Sequence, residues 1–181
     1  DTAWLAASFQ AVTTRTAGFN TVPLAELTNA TLFIMMVLMV IGANSCSTGG
    51  GVKVSTVSVL ITQLIAELRG KPNAALFRCR IAPTVVTQAI VIVVAYVLAI
   101  VCGLGLLLVF QHEVEPASPV SDSFRDALFE VVSAVATTGV STGYTGQLVE
   151  ESRWVIMGLM FAGRIGPLAL VAALARPTCR E

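Results

Sequence analysis

Two short loops rich in threonine and glycine carry the residues best suited to chemistry. The first reads Thr-Ala-Gly-Phe, the second reads Thr-Thr-Gly-Val, and their glycines are 121 residues apart. Glycine reaches backbone conformations forbidden to other residues, and turned backbone carbonyls replace the water around a dehydrated cation in selectivity filters. Threonine hydroxyls add polarity without fixed charge. We therefore predict a cation-binding filter at Thr16, Ala17, Gly18, Phe19, Thr137, Thr138, Gly139 and Val140.

The surroundings of the two loops repeat as well. Amphipathic stretches precede them at residues 9–13 and 129–133. Apolar segments follow at residues 33–42 and 154–163, and these are again offset by 121. A short helix ending at each loop would direct the negative end of its dipole toward a cation. Two surface turns would also contain Thr-x-Gly, but they would not explain the matched flanks. The pattern favours two re-entrant pore loops.

A glycine-rich stretch interrupts the apolar segment that follows the first loop. A single helix over residues 30–68 would be about 60 Å long, roughly twice the hydrocarbon thickness of a bilayer. Because three consecutive glycines disfavour a helix, we predict helices at about 30–42 and 53–69 with a non-helical loop at about 43–52. Such a loop changes conformation easily, which favours a role as a gate. The predicted gate residues in this loop are Gly49, Gly50 and Gly51.

Arg164 is a charged residue inside an apolar segment. A charge at the bilayer centre costs ~2.5–3.5 kcal/mol on insertion scales, so we expect this side chain to face a cavity or a partner. There, its positive charge would oppose the passage of a cation. The alternative is an arginine that extends to the cytoplasmic interface.

Several other functions are disfavoured by the residues present. The sequence Gly-Gly-Gly-Val-Lys lacks the Gly-Lys-Ser/Thr of a phosphate-binding loop. No motif places a base beside Ser45 or Ser47, so we predict no catalytic residues, no enzyme activity and no covalently bound cofactor. Four scattered cysteines have no metal-ligand spacing. A net charge of zero argues against a nucleic-acid partner.

The composition is that of an all-α integral membrane protein in a lipid bilayer. The chain has 181 residues, of which 55% are hydrophobic and 12% are charged, about half the charged fraction of soluble domains. Residues 81–110 contain no charged residue and predict one membrane span, and residues 154–175 predict another. A short helix at about 123–136 would be about 21 Å long, too short to cross.

Charge asymmetry predicts a multi-pass topology. Basic residues mark two regions as cytoplasmic by the positive-inside rule, and the stretch 111–126 then lies outside. Both threonine–glycine loops fall on the outer side. The basic residues are Arg69, Lys71, Arg78 and Arg80 in one region and Arg176 and Arg180 in the other.

Four motifs in this order resemble the Trk/Ktr/HKT superfamily of potassium transporters, with the Ktr-type membrane subunit as the closest match. Residues 15–21 and 136–143 look like the third and fourth pore loops of that family. Residues 47–53 look like its intramembrane loop, and residues 163–168 like the signature of its fourth inner helix. The chain starts without an initiator methionine or a signal peptide, which predicts the C-terminal part of something larger.

The resemblance implies four outer-helix, pore-loop, inner-helix units around one pore, of which this chain supplies two. Residues 1–69 would be the third pore repeat without its outer helix, residues 70–80 a cytoplasmic basic loop, and residues 81–181 the fourth pore repeat. K⁺ would pass along the backbone carbonyls of the filter, with Na⁺ as a candidate coupling ion. The resemblance implies that Lys53 and Arg164 complete the gate. Arg164 would lie in the pore below the filter, near the glycine-rich loop that obstructs the cavity.

The resemblance also implies partners and a location. A homodimer of the full-length subunit, a cytosolic nucleotide-binding regulatory ring and the bacterial inner (plasma) membrane are expected. Two alternatives stay open: a secondary transporter for another cation, including a Na⁺-permeable one, or for a small polar solute. Such transporters also use broken helices at mid-membrane.

Overall fold

The described part of the chain is almost entirely helical. A computed structural model describes residues 2–44, 47, 49–70, 75–76, 79–111 and 120–165. Within these ranges the α-helices are α1 (Thr2–Thr13), α2 (Asn29–Val40), α3 (Val54–Leu68), α4 (Pro83–Gln111), α5 (Val120–Val135) and α6 (Glu150–Ile165). Short 3-10 turns at Leu24–Glu26 and Tyr144–Gln147 precede α2 and α6. The helical class predicted from composition is confirmed.

Two very short strands are an exception to the all-α prediction. Strand β1 (Ala75–Leu76) pairs antiparallel with β2 (Cys79–Arg80). This hairpin lies inside the segment 70–80 that was predicted as a basic loop. Cross-strand pairing here is local and needs no buried face, so the charge pattern that indicated the loop gave no signal for it.

Helix α4 is the longest element, and its surface is apolar and outward-facing. It has 29 residues, none of them charged, and only 17% of its most apolar part is buried. At 1.5 Å per residue it is about 43 Å long. Among the described helices it is the one long and apolar enough to cross a bilayer. Its bounds agree with the span predicted at 81–110.

The apolar segment after the first loop breaks where three glycines predict a break. Helix α2 ends at Val40 and α3 begins at Val54, within two residues of the predicted bounds. The ends of the intervening segment are joined, because the Val52 N–H donates to the Val40 carbonyl at 2.8 Å and the Gly42 N–H donates to the Val52 carbonyl at 3.0 Å. The chain therefore forms a closed loop between α2 and α3. We refer to residues 41–53 as the glycine-rich loop.

Helix α5 lies at the centre of the fold, against α2, α4 and α6. Its two faces enter two different hydrophobic clusters. One face packs with α4 and α6 through Val131, Ala134, Val135, Tyr96, Leu107 and Ile156. The other packs with α2 through Phe129, Val132, Ala136, Leu32, Met35 and Met39. A helix buried on both faces holds the segment that follows it in a fixed position.

Two helix starts differ from the predicted ones. Helix α5 begins at Val120, three residues before Ser123. Helix α6 begins at Glu150 rather than at residue 154. Its first turn contains two glutamates, whose negative charges stabilise the helix at the positive end of its dipole. The remainder of the span predicted to residue 175 lies outside the described residues.

Candidate functional site

The two threonine–glycine loops share an unusual backbone conformation. Thr16 and Thr137 have φ angles of 66° and 53°, and they are the two non-glycine residues with positive φ in the described part of the chain. Gly18 and Gly139, two residues further on, have φ angles of 76° and 82°. A side-chain-bearing residue held in the left-handed region costs of order 1–3 kcal/mol, and such residues cluster at functional sites. The same strain recurs at positions 121 residues apart.

The loops lie directly against each other. A Cβ atom added to Gly18 would lie 2.8 Å from the carbonyl oxygen of Thr138 and 3.7 Å from the Cα of Gly139. The side chain of Asn20 donates a hydrogen bond of 3.0 Å to the carbonyl of Ser141, its counterpart in the 121-residue offset. Residues far apart in sequence but equivalent in the repeat therefore meet in space.

Each loop follows directly on the C-terminus of a short helix. The first follows α1, and the N–H groups of Ala17 and Gly18 both donate to the Thr13 carbonyl. The Thr13 hydroxyl also donates to the Phe19 carbonyl and accepts from the Phe19 N–H, both at 2.9 Å. These bonds fix the path of the first loop. The C-terminal end of a helix carries partial negative charge, which favours a nearby cation.

The second loop is braced by a carboxylate that sequence reasoning did not identify as a site residue. Glu130 on α5 is 5% exposed. One of its oxygens accepts a hydrogen bond from the Ser141 hydroxyl, and the other accepts one from the Thr145 hydroxyl at 2.9 Å. The Ser141 hydroxyl in turn accepts from the Gly143 N–H at 2.9 Å. The signal available in the sequence was an acidic residue, Glu130, within an apolar stretch, followed in the next loop by the hydroxyl-bearing Ser141 and Thr145.

The first loop is braced by neutral groups instead. Thr21 donates to the side-chain oxygen of Gln10 at 3.4 Å, and the Gln10 amide nitrogen is buried without a hydrogen-bond partner among the described residues. In the matched stretches 9–13 and 129–133, Gln10 takes the place of Glu130. The two loops thus have similar backbones and different supports.

The glycine-rich loop lies against the threonines of both loops. The Gly50 N–H donates to the Thr137 hydroxyl oxygen at 3.1 Å. A Cβ atom on Gly50 would be 2.3 Å from that same oxygen, and one on Gly49 would be 2.7 Å from the Thr16 hydroxyl oxygen. Glycine is needed here because the backbone approaches too closely for any side chain. The structure thus brings the residues predicted as gate and as filter into contact.

Lys53 holds the glycine-rich loop in shape from within. Its ammonium group donates to the carbonyl oxygens of Ser47 at 2.8 Å and Gly49 at 2.7 Å. Charged hydrogen bonds of this kind are stronger than neutral ones. The lysine predicted as part of the gate therefore bonds to that loop's own backbone.

Tyr96 on α4 is a second residue that sequence reasoning missed. Its hydroxyl accepts a hydrogen bond from the Gly51 N–H at 2.6 Å and donates one to the Val135 carbonyl at 3.0 Å. The side chain is 3% exposed. A tyrosine within an apolar span was the signal in the sequence, since a buried phenol usually finds a hydrogen-bond partner.

Arg164 lies in the last turn of α6 with its side chain exposed. The preceding Gly163 packs under the second loop, where an added Cβ would be 2.1 Å from the Val135 carbonyl oxygen and 3.1 Å from the Thr137 methyl carbon. This contact sets the end of α6 beside the second loop. The barrier role of Arg164 stays a prediction.

A cavity of about 390 Å³ opens beside the two loops. Residues 20–25 and 141–143 line it, and none of them is charged. These two segments directly follow the first and the second loop in the sequence. Both polar side chains, such as Asn20 and Thr21, and apolar ones, such as Val22 and Leu24, line this cavity.

A long apolar helix beside two helix-ended loops indicates an α-helical membrane protein. Residues 1–178 match the family described as TrkH, cation transport protein, and the chain belongs to this family. It is 40% identical over 174 residues to the Ktr system potassium uptake protein B of Vibrio alginolyticus, covering 96% of this chain and 36% of that protein.

Two further relatives show the same coverage. The Ktr system potassium uptake protein B of Bacillus subtilis is 35% identical over 97% of this chain and 37% of its own length. The potassium/sodium uptake protein NtpJ of Enterococcus hirae is 32% identical over 92% of this chain and 36% of its own. The chain thus spans little more than a third of the length of these relatives.

Proposed function

We propose that this chain forms part of a K⁺ uptake pore in which the two threonine–glycine loops supply two segments of the selectivity filter. The observation that carries the proposal is the contact between equivalent positions of the two loops, with Gly18 against Gly139 and Asn20 bonded to Ser141. Two segments with matching left-handed backbones, side by side, are what a filter built from repeated units requires. Their carbonyls would replace the hydration shell of the ion.

The proposed architecture follows from the lengths and order of the helices. Residues 81–181 would form one complete unit, with α4 as its outer helix, α5 as its pore helix and α6 as its inner helix. Residues 1–69 would form a unit with α1 as pore helix and α2–α3 as a broken inner helix, and residues 70–80 would join them in the cytoplasm. Helix α5 is about 24 Å long, too short to cross, which supports a re-entrant path.

Neighbouring units of the full-length subunit would complete the pore around these two. Large apolar side chains on α1 support this, since Trp4, Leu5 and Val12 are 81%, 76% and 68% exposed. In a membrane such surfaces are covered either by lipid or by another unit. The proposal includes a homodimer, a cytosolic nucleotide-binding ring and a multi-pass location in the bacterial inner membrane.

In this proposal the glycine-rich loop and Arg164 form the gate. The loop contacts both filter threonines, so an ion leaving the filter would meet it first. Arg164 would add a positive charge near the same point. Opening would require the glycine-rich loop to move, and its glycines allow that at low conformational cost.

The choice of ion rests on the relatives. Two relatives are named as potassium uptake proteins and a third as a potassium/sodium uptake protein. The last name keeps a Na⁺-permeable cation transporter as the second candidate. Na⁺ could also act as the coupling ion.

The experiment that tests the proposed function is uptake by the full-length subunit that contains this chain. Expressed in a bacterial strain lacking K⁺ uptake, it is expected to restore growth at low K⁺. In proteoliposomes it is expected to carry rubidium tracer, with unlabelled K⁺ competing better than Na⁺. Equal competition by Na⁺ would favour the second candidate, and no uptake by inserted protein would reject both.

Replacing Glu130 with glutamine is expected to reduce the preference for K⁺ over Na⁺ while leaving the subunit folded. Glutamine has nearly the same size but places an NH₂ donor where one carboxylate oxygen stood, so either Ser141 or Thr145 loses its acceptor. Hydrogen bonds to a charged group contribute ~1.5–3 kcal/mol, so the loss of one corresponds to roughly a tenfold change. Competition of Na⁺ against rubidium uptake measures it.

The control for this prediction is Glu151→Gln, the same change at an exposed glutamate in the first turn of α6. A selectivity loss confined to Glu130→Gln would support the bracing role. Unchanged selectivity in Glu130→Gln would show that the carboxylate does not position the filter.

A further inference from the structure

Tyr96 places a polar group in the middle of an otherwise apolar helix. It lies on α4, the outer helix of the second proposed unit, at a point where the side chain is 3% exposed. The two threonines of α4 lie near the start of the helix. The hydroxyl of Thr87 donates to the Pro83 carbonyl in the first turn of the same helix. The phenol of Tyr96 reaches outward from its helix to two other segments.

The Tyr96 hydroxyl uses both its donor and its acceptor. It accepts from the Gly51 N–H of the glycine-rich loop at 2.6 Å. It donates to the carbonyl of Val135, the last residue of α5, at 3.0 Å. One oxygen atom therefore joins the glycine-rich loop to the helix that carries the second filter loop.

The neighbouring residues make the same connection by a second route. The Gly50 N–H donates to the Thr137 hydroxyl oxygen, and Thr137 follows Val135 by two residues. Two consecutive N–H groups of the glycine-rich loop are thus attached to the second filter segment, one directly and one through Tyr96. Both attachments use backbone donors, so they depend on the position of the loop rather than on its side chains.

We infer that Tyr96 is a positioning residue that latches the glycine-rich loop closed beneath the filter. The inference rests on the proposed function, in which this loop is the gate. When the loop moves away, the Tyr96 hydroxyl keeps its bond to the Val135 carbonyl. The phenol therefore stays in place and is ready to accept the Gly51 N–H again.

The size of the effect follows from the single bond that opens. A net protein hydrogen bond shifts an equilibrium by about two- to tenfold. Replacing Tyr96 with phenylalanine removes the acceptor for Gly51, so K⁺ flux in the absence of any activating condition is expected to rise by about that factor. Flux through the fully opened pore is expected to stay the same, because the filter loops are unaltered.

The test compares four forms of the full-length subunit in proteoliposomes: wild type, Tyr96→Phe, a deletion of residues 49–51, and both changes together. Rubidium flux is expected to rise in Tyr96→Phe and to rise further in the deletion. The double variant is expected to match the deletion alone, because no loop remains to be latched. Tyr144→Phe, the same change at the chain's other tyrosine, is the matched control.

Each outcome has a defined meaning. A rise of equal factor in the deleted background would overturn the latch, since Tyr96 would then act through α5 alone. Unchanged flux in Tyr96→Phe with a raised flux in the deletion would also overturn it, while leaving the gate intact. If the deletion itself does not raise flux in a subunit that transports K⁺, the proposed gate fails and the latch fails with it.

A second variant covers the case in which Tyr96→Phe does not insert. Incorporation of 4-aminophenylalanine at position 96 keeps a donor for the Val135 carbonyl but offers a poor acceptor for the Gly51 N–H. It is expected to raise flux as Tyr96→Phe does. Wild-type flux from the inserted variant would overturn the latch.

Discussion

Replacing Gly139 with serine is expected to lower the preference for K⁺ over Na⁺ in the full-length subunit. Gly139 has a φ angle of 82°, and a side-chain-bearing residue there costs roughly 1–2 kcal/mol. The backbone relieves this strain by turning, which moves the carbonyls that would face the ion. Since 1.4 kcal/mol is a factor of ten, the loss of selectivity is expected to be on the order of tenfold.

The same change at Gly18 is expected to have the larger effect. Its φ angle is 76°, and an added Cβ would also lie 2.8 Å from the Thr138 carbonyl oxygen. The Gly139 position offers more room, because the nearest atom to a Cβ there is the Gly18 Cα at 3.8 Å. Serine at residue 18 would thus push the two loops apart as well as strain one of them.

Gly70→Ser is the matched control for both substitutions. Gly70 has a φ angle of 64° and open space around it, so the same left-handed strain is introduced away from both loops. The measurement is Na⁺ competition against rubidium uptake, with protein amount in the membrane as a check. K⁺ selectivity unchanged in both Gly18→Ser and Gly139→Ser would reject the filter assignment.

The elements of the fold follow largely from the sequence because each has a strong local cause. The 29-residue α4 is apolar throughout, and three consecutive glycines end the helical path between α2 and α3. The hairpin at Ala75–Leu76 and Cys79–Arg80 had no comparable signal. Strands of two residues are too short to show an alternating pattern.

The candidate site could be predicted only as far as the repeat extends. The 121-residue offset identified both threonine–glycine loops because the same residues recur in them. It did not identify Glu130, because the matched stretch before the first loop has the neutral Gln10 in its place. It did not identify Tyr96 either, because Tyr96 lies in the part of the second unit with no described counterpart. Contacts made by only one copy of a repeat are not indicated by the repeat itself, so they are identified only in the three-dimensional structure.

The glycine-rich loop makes different contacts with the two threonine–glycine loops. The second loop bonds to the glycine-rich loop through Thr137 and, by way of Val135, through Tyr96. The first loop meets the same segment only by close packing of Gly49 near Thr16 among the described contacts. Movement of the glycine-rich loop is therefore coupled more strongly to the second loop than to the first.

Deleting residues 49–51 is expected to raise basal K⁺ flux by on the order of tenfold or more. The deletion removes the N–H donors of the hydrogen bonds to Thr137 and Tyr96. Each of these bonds is expected to favour the closed position of the loop over the open one by about two- to tenfold. It also removes the backbone packed against the Thr16 hydroxyl. Rubidium flux without an activating condition measures the change.

Lys53→Met is expected to raise basal K⁺ flux less than this deletion does. It keeps the glycine-rich loop but removes the ammonium bonds to the Ser47 and Gly49 carbonyls, so an intermediate rise in flux is expected. Arg69→Met is the control, because it removes one positive charge at the other end of α3. A fall in flux on deletion, from protein that is folded and inserted, would mean that the glycine-rich loop supports conduction. In that case its contacts with Thr16 and Thr137 would stabilise the open filter rather than close it.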